Sequence, residues 1–184
     1  YKVPRICFIN KLDRMGASFT KSLHSIHARL TPNAVAVTVP MGLESDFKGV
    51  LDIMKMKAIY FEGEHGEKIV ESEIPEDMAE EAEKWNKTLV EKIAEHDEKL
   101  LEKYLAGESI SQEELKKSLR ESTLDYRIVP VFCGSALKNK GVQLVLDGVV
   151  DYLPSPADIK IIHGTKPETD EVIERKLVDE EPFS

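Results

Sequence analysis

Residues 3–13 read VPRICFINKLD, and this stretch decides the fold. Its centre is a continuous apolar run bounded by polar residues, which is typical of a strand buried in a parallel sheet. The run ends at Asn10. A helix is predicted next, because four apolar residues recur with the spacing of one helical face: Phe19, Leu23, Ile26 and Leu30. The segment therefore predicts a strand, a polar loop and a helix.

The same unit occurs again near the end of the chain. Residues 128–133, IVPVFC, form a second apolar run, and the polar stretch GSALKNKG follows it. A second helical stripe is predicted from five apolar residues, Val142, Val145, Leu146, Val149 and Leu153. Two strand-loop-helix units of this kind indicate an α/β fold with a parallel sheet.

The intervening region changes character. Residues 34–74 are rich in Val, Ile and Phe with glycines between them, which predicts short strands and turns with a hairpin tip at HGE. Pro75 opens a predicted helix over 76–98, whose buried stripe comprises Met78, Ala82, Trp85, Leu89 and Ile93. Ser111 and Glu114 form a capping box that opens another helix, predicted to end near Leu124.

Composition excludes several classes of protein. The chain has 184 residues, 41% of them hydrophobic, and a formal net charge of -9. Extended phosphate-binding surfaces are built from clustered Lys and Arg, so no independent nucleic-acid surface is expected. No run approaches the roughly 18 apolar residues of a membrane span. Cys7 and Cys133 lie in apolar runs and are predicted to be buried, reduced thiols, and no paired Cys/His spacing supports a zinc site.

The residues NKLD follow the first strand, where ligand loops of open α/β sheets lie. Guanine offers donors at N1 and at the 2-amino group, and a carboxylate accepts both, whereas adenine does not present them. We therefore expect Asp13 to select guanine. Asn10 would donate toward N7 and tie neighbouring loops together, while the Lys11 stem would lie across the base. The alternative is an ordinary polar surface loop.

The second loop adds Ser135, Ala136 and Leu137. A tight turn there can aim the Ala136 N–H at guanine O6, a position where adenine carries an amino group. Ser135 would brace the loop and Leu137 would pack near the base. An ordinary strand-to-helix turn remains the alternative for these three residues.

NKLD and SAL resemble the fourth and fifth nucleotide motifs of GTPases. The contexts FINKLDRMGASF, CGSALKNKGVQ and DYLPSP are similar to the elongation factor G family, and the resemblance runs along essentially the whole chain. It implies an incomplete, doubly wound sheet of the P-loop GTPase type, represented by its last two strands and helices, with an inserted α+β subdomain. The implied boundaries are 1–30 with 127–160 for the GTPase part, 31–126 for the insert and 161–184 for a connector toward a next domain.

The resemblance implies a parent protein that uses GTP or GDP with Mg²⁺ to drive movement of transfer and messenger RNA through the ribosome. The phosphate-binding pattern G-x-x-x-x-G-K-[ST] is absent from these residues; the nearest approach, 134–140, has Asn139 where glycine is required. We therefore predict no catalytic residue, no metal ligand and no tight nucleotide binding by this chain alone. A type 3 release factor and a ribosome-protection protein share the base-reading motifs and remain alternatives.

The resemblance also associates the insert with the ribosomal stalk protein. The helix over 76–98 offers four glutamates to a basic partner, Glu80, Glu83, Glu91 and Glu95. A merely solvated helix is the alternative, as is a docking module that binds no nucleotide on its own. The ribosome is the expected partner of the parent protein and no membrane partner is expected. The expected location is the bacterial cytoplasm, with the mitochondrial matrix as the alternative.

Overall fold

The computed structural model describes residues 3–158, 161–165 and 172–176. It divides into two compact units, residues 1–153 and 154–184, which are described separately. The first unit has mixed α/β structure. Its helices are Phe19–Arg29 (α1), Glu76–Ala94 (α2), Glu98–Ala106 (α3), Gln112–Leu124 (α4) and Val142–Tyr152 (α5). Its strands are Cys7–Ile9 (β1), Ala34–Ala36 (β2), Thr38–Met41 (β3), Gly49–Asp52 (β4), Lys57–Glu62 (β5), Lys68–Ser72 (β6) and Val129–Cys133 (β7).

The first unit contains a parallel sheet in which the strands have the order β1-β7-β2. Cys7 lies opposite Val131 and Ile9 opposite Cys133, so the two predicted apolar strands are direct neighbours. All five residues of β7 are buried, as a central strand covered on both faces requires. The predicted pair of parallel strands is confirmed.

A second, antiparallel sheet has the order β3-β4-β5-β6. Val37 joins the two sheets: its N–H donates to Val131 O at 2.8 Å, and its carbonyl accepts from Ile53 N at 3.0 Å. The next residue, Thr38, accepts a hydrogen bond from Cys133 N at 2.9 Å. The chain therefore leaves the parallel sheet and enters the antiparallel one without an intervening loop. The boundaries expected for an inserted subdomain stay a prediction.

The helices match the predicted patterns, with differences in α1, α2 and α5. α1 and α4 form as expected, but Leu30 lies beyond the end of α1 and is 73% exposed. The helix predicted over 76–98 ends at Ala94, and a separate helix α3 begins at Glu98. Asp97 separates them, because its side chain accepts hydrogen bonds from Lys99 N and Leu100 N and so caps the new helix.

The predicted capping box opens α4. Ser111 Oγ accepts from Glu114 N at 3.2 Å, and Glu114 Oε2 accepts from Ser111 N at 3.0 Å. The ammonium of Lys103, followed by the Ser111 donors, lowers the pKa of Glu114 from 4.5 to about 2.

The shifted pKa of Glu114 predicts a specific pH dependence of stability. Its ionised form is favoured in the folded state, so its contribution is present above pH 4.5 and is lost as pH falls toward about 2. Between these values we expect the free energy of unfolding to fall more steeply in the wild type than in Glu114→Gln. Urea titrations at several pH values measure this slope, with Glu113→Gln on the same helical turn as the matched control. Equal slopes for wild type and Glu114→Gln would refute the assignment.

α5 buries a different face from the one predicted. Leu146 and Val149, expected in the buried stripe, are 60% and 41% exposed, whereas Gly148 and Tyr152 are buried. The reason is close approach at Gly148, where an added Cβ would lie 2.4 Å from Cζ of Phe132. A helix that approaches a strand this closely presents its smallest residue, so the contact centres on the glycine and not on the larger apolar residues.

Gly148→Ala is therefore expected to destabilise the protein. The strain of overpacking, about 1–3 kcal/mol, exceeds the gain of about 1 kcal/mol in helix propensity that alanine brings. We expect a net loss of about 1 kcal/mol in the free energy of unfolding, measured by urea denaturation. Asp147→Ala, at the exposed neighbouring position, is the control. An unchanged or higher stability of Gly148→Ala would contradict the close packing.

In the second unit, Ile161–Thr165 (β8) and Val172–Lys176 (β9) form an antiparallel pair. The other residues of the predicted connector, 166–171 and 177–184, lie outside the described residues, as do residues 159–160 at the end of the predicted GTPase part. Cys133 is buried and Cys7 half-buried, and both are free thiols, so the prediction of full burial holds for Cys133 alone. None of the described helices has the length and apolar character that crossing a bilayer demands.

Candidate functional site

Two loops meet at the carboxyl edge of the parallel sheet, residues 10–16 after β1 and 134–141 after β7. Their backbones are joined directly, since Gly134 N donates to Ile9 O at 3.0 Å and Leu12 N donates to Gly134 O at 3.1 Å. Leu12 is 1% exposed, so it points into the core as expected. Both sets of predicted base-reading residues therefore lie at one edge of the sheet, where ligands of open α/β sheets bind.

The Asn10 side chain holds the two loops together. Its Oδ1 accepts hydrogen bonds from Lys11 N at 2.8 Å and from Ala136 N at 2.9 Å. The Ala136 N–H, predicted to face guanine O6, thus has a protein partner in this structure. A base oxygen would have to share that N–H with Asn10 or replace it.

Asp13 is the most distinctive group of the site. Its side chain is 5% exposed, and its buried Oδ1 has no hydrogen-bond partner in the described part of the chain. Oδ2 lies 3.8 Å from Lys138 Nζ and 4.0 Å from Arg14 Nε. A buried carboxylate oxygen without a donor is unfavourable unless a ligand supplies one.

Neighbouring groups keep Asp13 ionised. The Ser135 hydroxyl contributes most to lowering the pKa of this carboxyl, and Lys138 and Arg14 add smaller effects in the same direction, while burial opposes them. An ionised carboxylate only accepts hydrogen bonds, which suits a ligand with two adjacent N–H donors. Arg14 and Lys138 were not predicted as site residues, although each directly follows one of the two motifs.

The Ser135 loop is tightly folded. Ser135 is 1% exposed, its N–H and carbonyl pair with Lys140 at 2.9 and 3.0 Å, and its hydroxyl accepts from Lys138 N at 3.4 Å. These contacts brace the loop as expected. Ala136 is exposed, and Leu137 is 77% exposed beside it, which leaves an apolar surface at the loop tip.

Two residues of the loops adopt left-handed backbone conformations that are uncommon for residues other than glycine. Lys11 has φ of 65° and Asn139 has φ of 50°. Such conformations concentrate at ligand-binding positions, where the surrounding structure holds the backbone in place. The Lys11 side chain is exposed, and its role as a stem that covers the base stays a prediction.

Comparison with known proteins adds a family. Residues 1–155 match the family model described as the elongation factor Tu GTP binding domain. The chain belongs to this family. The mixed α/β structure with its parallel sheet agrees with a domain of the translational GTPase type.

A solved structure of a Thermus thermophilus protein has the same fold as the present chain. It aligns with a TM-score of 0.74 and 29% sequence identity over 85% of the present chain. The alignment covers 23% of the Thermus chain, so the present chain spans about a quarter of the protein that it matches.

The four glutamates of the predicted docking surface lie on α2 and at its C-terminal cap, Glu95. Three of the four glutamates already have partners: Glu80 pairs with Lys84 at 2.6 Å, Glu95 with Lys92 at 2.8 Å, and Glu91 accepts from Tyr104 Oη at 2.5 Å. Glu83 is exposed and makes no ion pair within the described residues. Glu83 would therefore be available to a basic partner. At Glu80 and Glu95 that partner would have to displace the lysines that pair with them.

A cleft lies away from the two loops at the carboxyl edge of the parallel sheet. It has a volume of about 480 Å³ and is lined by residues of β4, α4 and α5, among them Asp52, Lys116 and Tyr152. Burial raises the pKa of Asp52, whose Oδ1 accepts from Met54 N and Lys55 N and so closes the turn after β4. No group of three potential metal ligands occurs among the described residues.

Proposed function

We propose that this chain supplies guanine-base recognition to a translational GTPase of the elongation factor G type. The buried Oδ1 of Asp13, which has no hydrogen-bond partner among the described residues, carries the proposal. N1–H and the 2-amino group of guanine are the two donors that a carboxylate at this position accepts. Adenine presents an acceptor at N1 and no amino group at C2, so it would leave the carboxylate unpaired.

The surrounding groups support the same ligand. Asn10 Oδ1 and Ala136 N lie 2.9 Å apart where the two loops meet. There the two residues can contact the N7 and O6 edge of a guanine whose other edge faces Asp13. Lys11 and the exposed Leu137 provide an aliphatic stem and an apolar side chain for the faces of the base. Ser135 orders the loop beneath them.

Phosphate binding has no comparable basis in these 184 residues. The sequence contains no G-x-x-x-x-G-K-[ST] pattern, and such a loop supplies the N–H groups that surround nucleotide phosphates. GTP or GDP with Mg²⁺ would be held mainly by other parts of the full-length gene product. We therefore expect weak or absent nucleotide binding by this chain alone, and micromolar GDP affinity in calorimetry would overturn that expectation.

The elongation factor G assignment is tested with ribosomes. With GTP, the full-length gene product should accelerate the movement of fluorescently labelled messenger RNA through pre-translocation ribosomes, and the 184-residue chain should not. If the full-length gene product instead accelerates release-factor turnover, it is a type 3 release factor. If it displaces a ribosome-bound antibiotic without moving messenger RNA, it is a ribosome-protection protein.

We further propose that the acidic face of α2 docks the ribosomal stalk protein. The glutamates at positions 80, 83 and 91 share one side of α2, as their helical spacing requires, and Glu95 caps its C-terminus. Glu83 makes no ion pair within the described residues. A titration with the C-terminal domain of the stalk protein should shift the amide resonances of α2. Shifts confined to other helices would show that these glutamates are solvated surface residues that do not contact the stalk protein.

A further inference from the structure

Glu44 lies in the turn between β3 and β4, outside both base-reading motifs. It nevertheless contacts the Asp13 loop at two places: Glu44 N donates to Leu12 O at 2.7 Å, and Glu44 Oε1 accepts from Gly16 N at 2.8 Å. Leu12 and Gly16 lie on either side of Asp13 in the sequence. One residue of the β3–β4 turn thus fixes both ends of the Leu12–Gly16 segment, which carries the Asp13 carboxylate.

The backbone of this turn is built around those contacts. Glu44 has φ of 57°, a left-handed conformation that costs a residue with a side chain roughly 1 kcal/mol relative to glycine. At Gly42, φ is 76°, and an added Cβ would lie 2.1 Å from Asp46 O, so the turn is closely folded. Glycine would relieve the conformation at position 44 but would remove the carboxylate that accepts from Gly16.

The same turn also contacts the second base-reading loop. Lys140 Nζ donates to Phe47 O at 3.2 Å and lies 5.8 Å from the centre of the Phe47 ring. At the β5–β6 hairpin, an added Cβ on Gly66 would lie 2.7 Å from Lys138 O, and Gln143 Nε2 donates to Gly66 O at 3.3 Å. Both loops therefore rest on the antiparallel sheet.

We propose that Glu44 is a positioning residue for guanine selection. Its two hydrogen bonds hold the Leu12–Gly16 segment in the conformation that places the Asp13 carboxylate at the edge of the sheet. Removing the side chain frees the Gly16 end of the segment while the Glu44 N–H still holds the Leu12 end. The carboxylate then loses its fixed distance to the 2-amino group of the base. This inference rests on the proposed role of Asp13 in reading guanine.

The test compares GDP with IDP, which lacks the 2-amino group, by competition for the full-length gene product. Glu44→Ala should lower GDP affinity by about tenfold, the effect of losing the charge-assisted hydrogen bond between Asp13 and the 2-amino group. IDP affinity should change less, because IDP lacks that amino group. The GDP/IDP ratio therefore falls. Glu44→Gln keeps an acceptor for Gly16 N–H and should retain the wild-type ratio. Asp46→Ala changes an exposed acidic residue of the same turn and is the matched control.

The outcomes separate the two proposals. A wild-type protein without preference for GDP over IDP refutes guanine reading by Asp13. A selective wild type combined with an unchanged ratio in Glu44→Ala refutes the role of Glu44, whether or not the thermal midpoint falls. If Glu44→Ala does not fold, Glu44→Asp keeps the charge but shortens the reach to Gly16, and it must lower the ratio for the inference to stand.

Discussion

Asp13→Asn is expected to lower the affinity of the full-length gene product for GDP by about a hundredfold, because two hydrogen bonds to a charged acceptor are weakened or lost. Asparagine offers one N–H₂ donor and one carbonyl acceptor. Xanthine carries a carbonyl where guanine carries the 2-amino group, so it matches asparagine at this position and XDP affinity should rise.

Competition with a fluorescent nucleotide measures both affinities on the same protein. Asp46→Asn makes the same chemical change at an exposed position and should leave both affinities unchanged. The thermal midpoint is measured beside the affinities, because Asp13→Asn also removes the negative charge near Lys138 and Arg14. An Asp13→Asn variant with the wild-type preference for GDP over XDP would show that another residue reads the base.

Leu119→Ala is expected to cost about 2–5 kcal/mol in the free energy of unfolding, the range for truncating a buried leucine. Leu119 is 0% exposed and belongs to the continuous apolar core, to which α2, α4 and the antiparallel sheet all contribute. Urea denaturation measures the loss.

Lys117→Ala is the control for this variant, because Lys117 is exposed on the same helix and a surface substitution typically changes stability by less than about 0.5 kcal/mol. A cost below about 1 kcal/mol for Leu119→Ala would contradict the packing of α4 into the core.

The edge of the parallel sheet that carries the two loops could be predicted because its signals are local. The apolar runs before Asn10 and Ser135 mark buried strands, and the polar residues that follow them must lie at the carboxyl edge of a parallel sheet. The capping box at Ser111 was equally readable, since a Ser and a Glu three residues apart satisfy each other's backbone donors.

Other features depend on contacts that no local pattern records. The buried face of α5 follows from the fit of Gly148 against Phe132, although the spacing of larger apolar residues favoured another face. The position of Glu44 beside Gly16 joins residues 28 apart and requires the turn between β3 and β4 to be in place. The chain was expected to stay helical to Glu98, whereas α2 ends at Ala94 and Asp97 caps a separate helix, α3.

Competitive binding of GDP, IDP and ADP to the full-length gene product tests the central claim most directly. A site built to satisfy a carboxylate through base N–H groups should prefer GDP over ADP by about 10⁴-fold, with IDP between them because it keeps N1–H and lacks the 2-amino group. ADP binding as tightly as GDP, or IDP binding as tightly as GDP, would contradict the assignment of Asp13 as the residue that reads guanine.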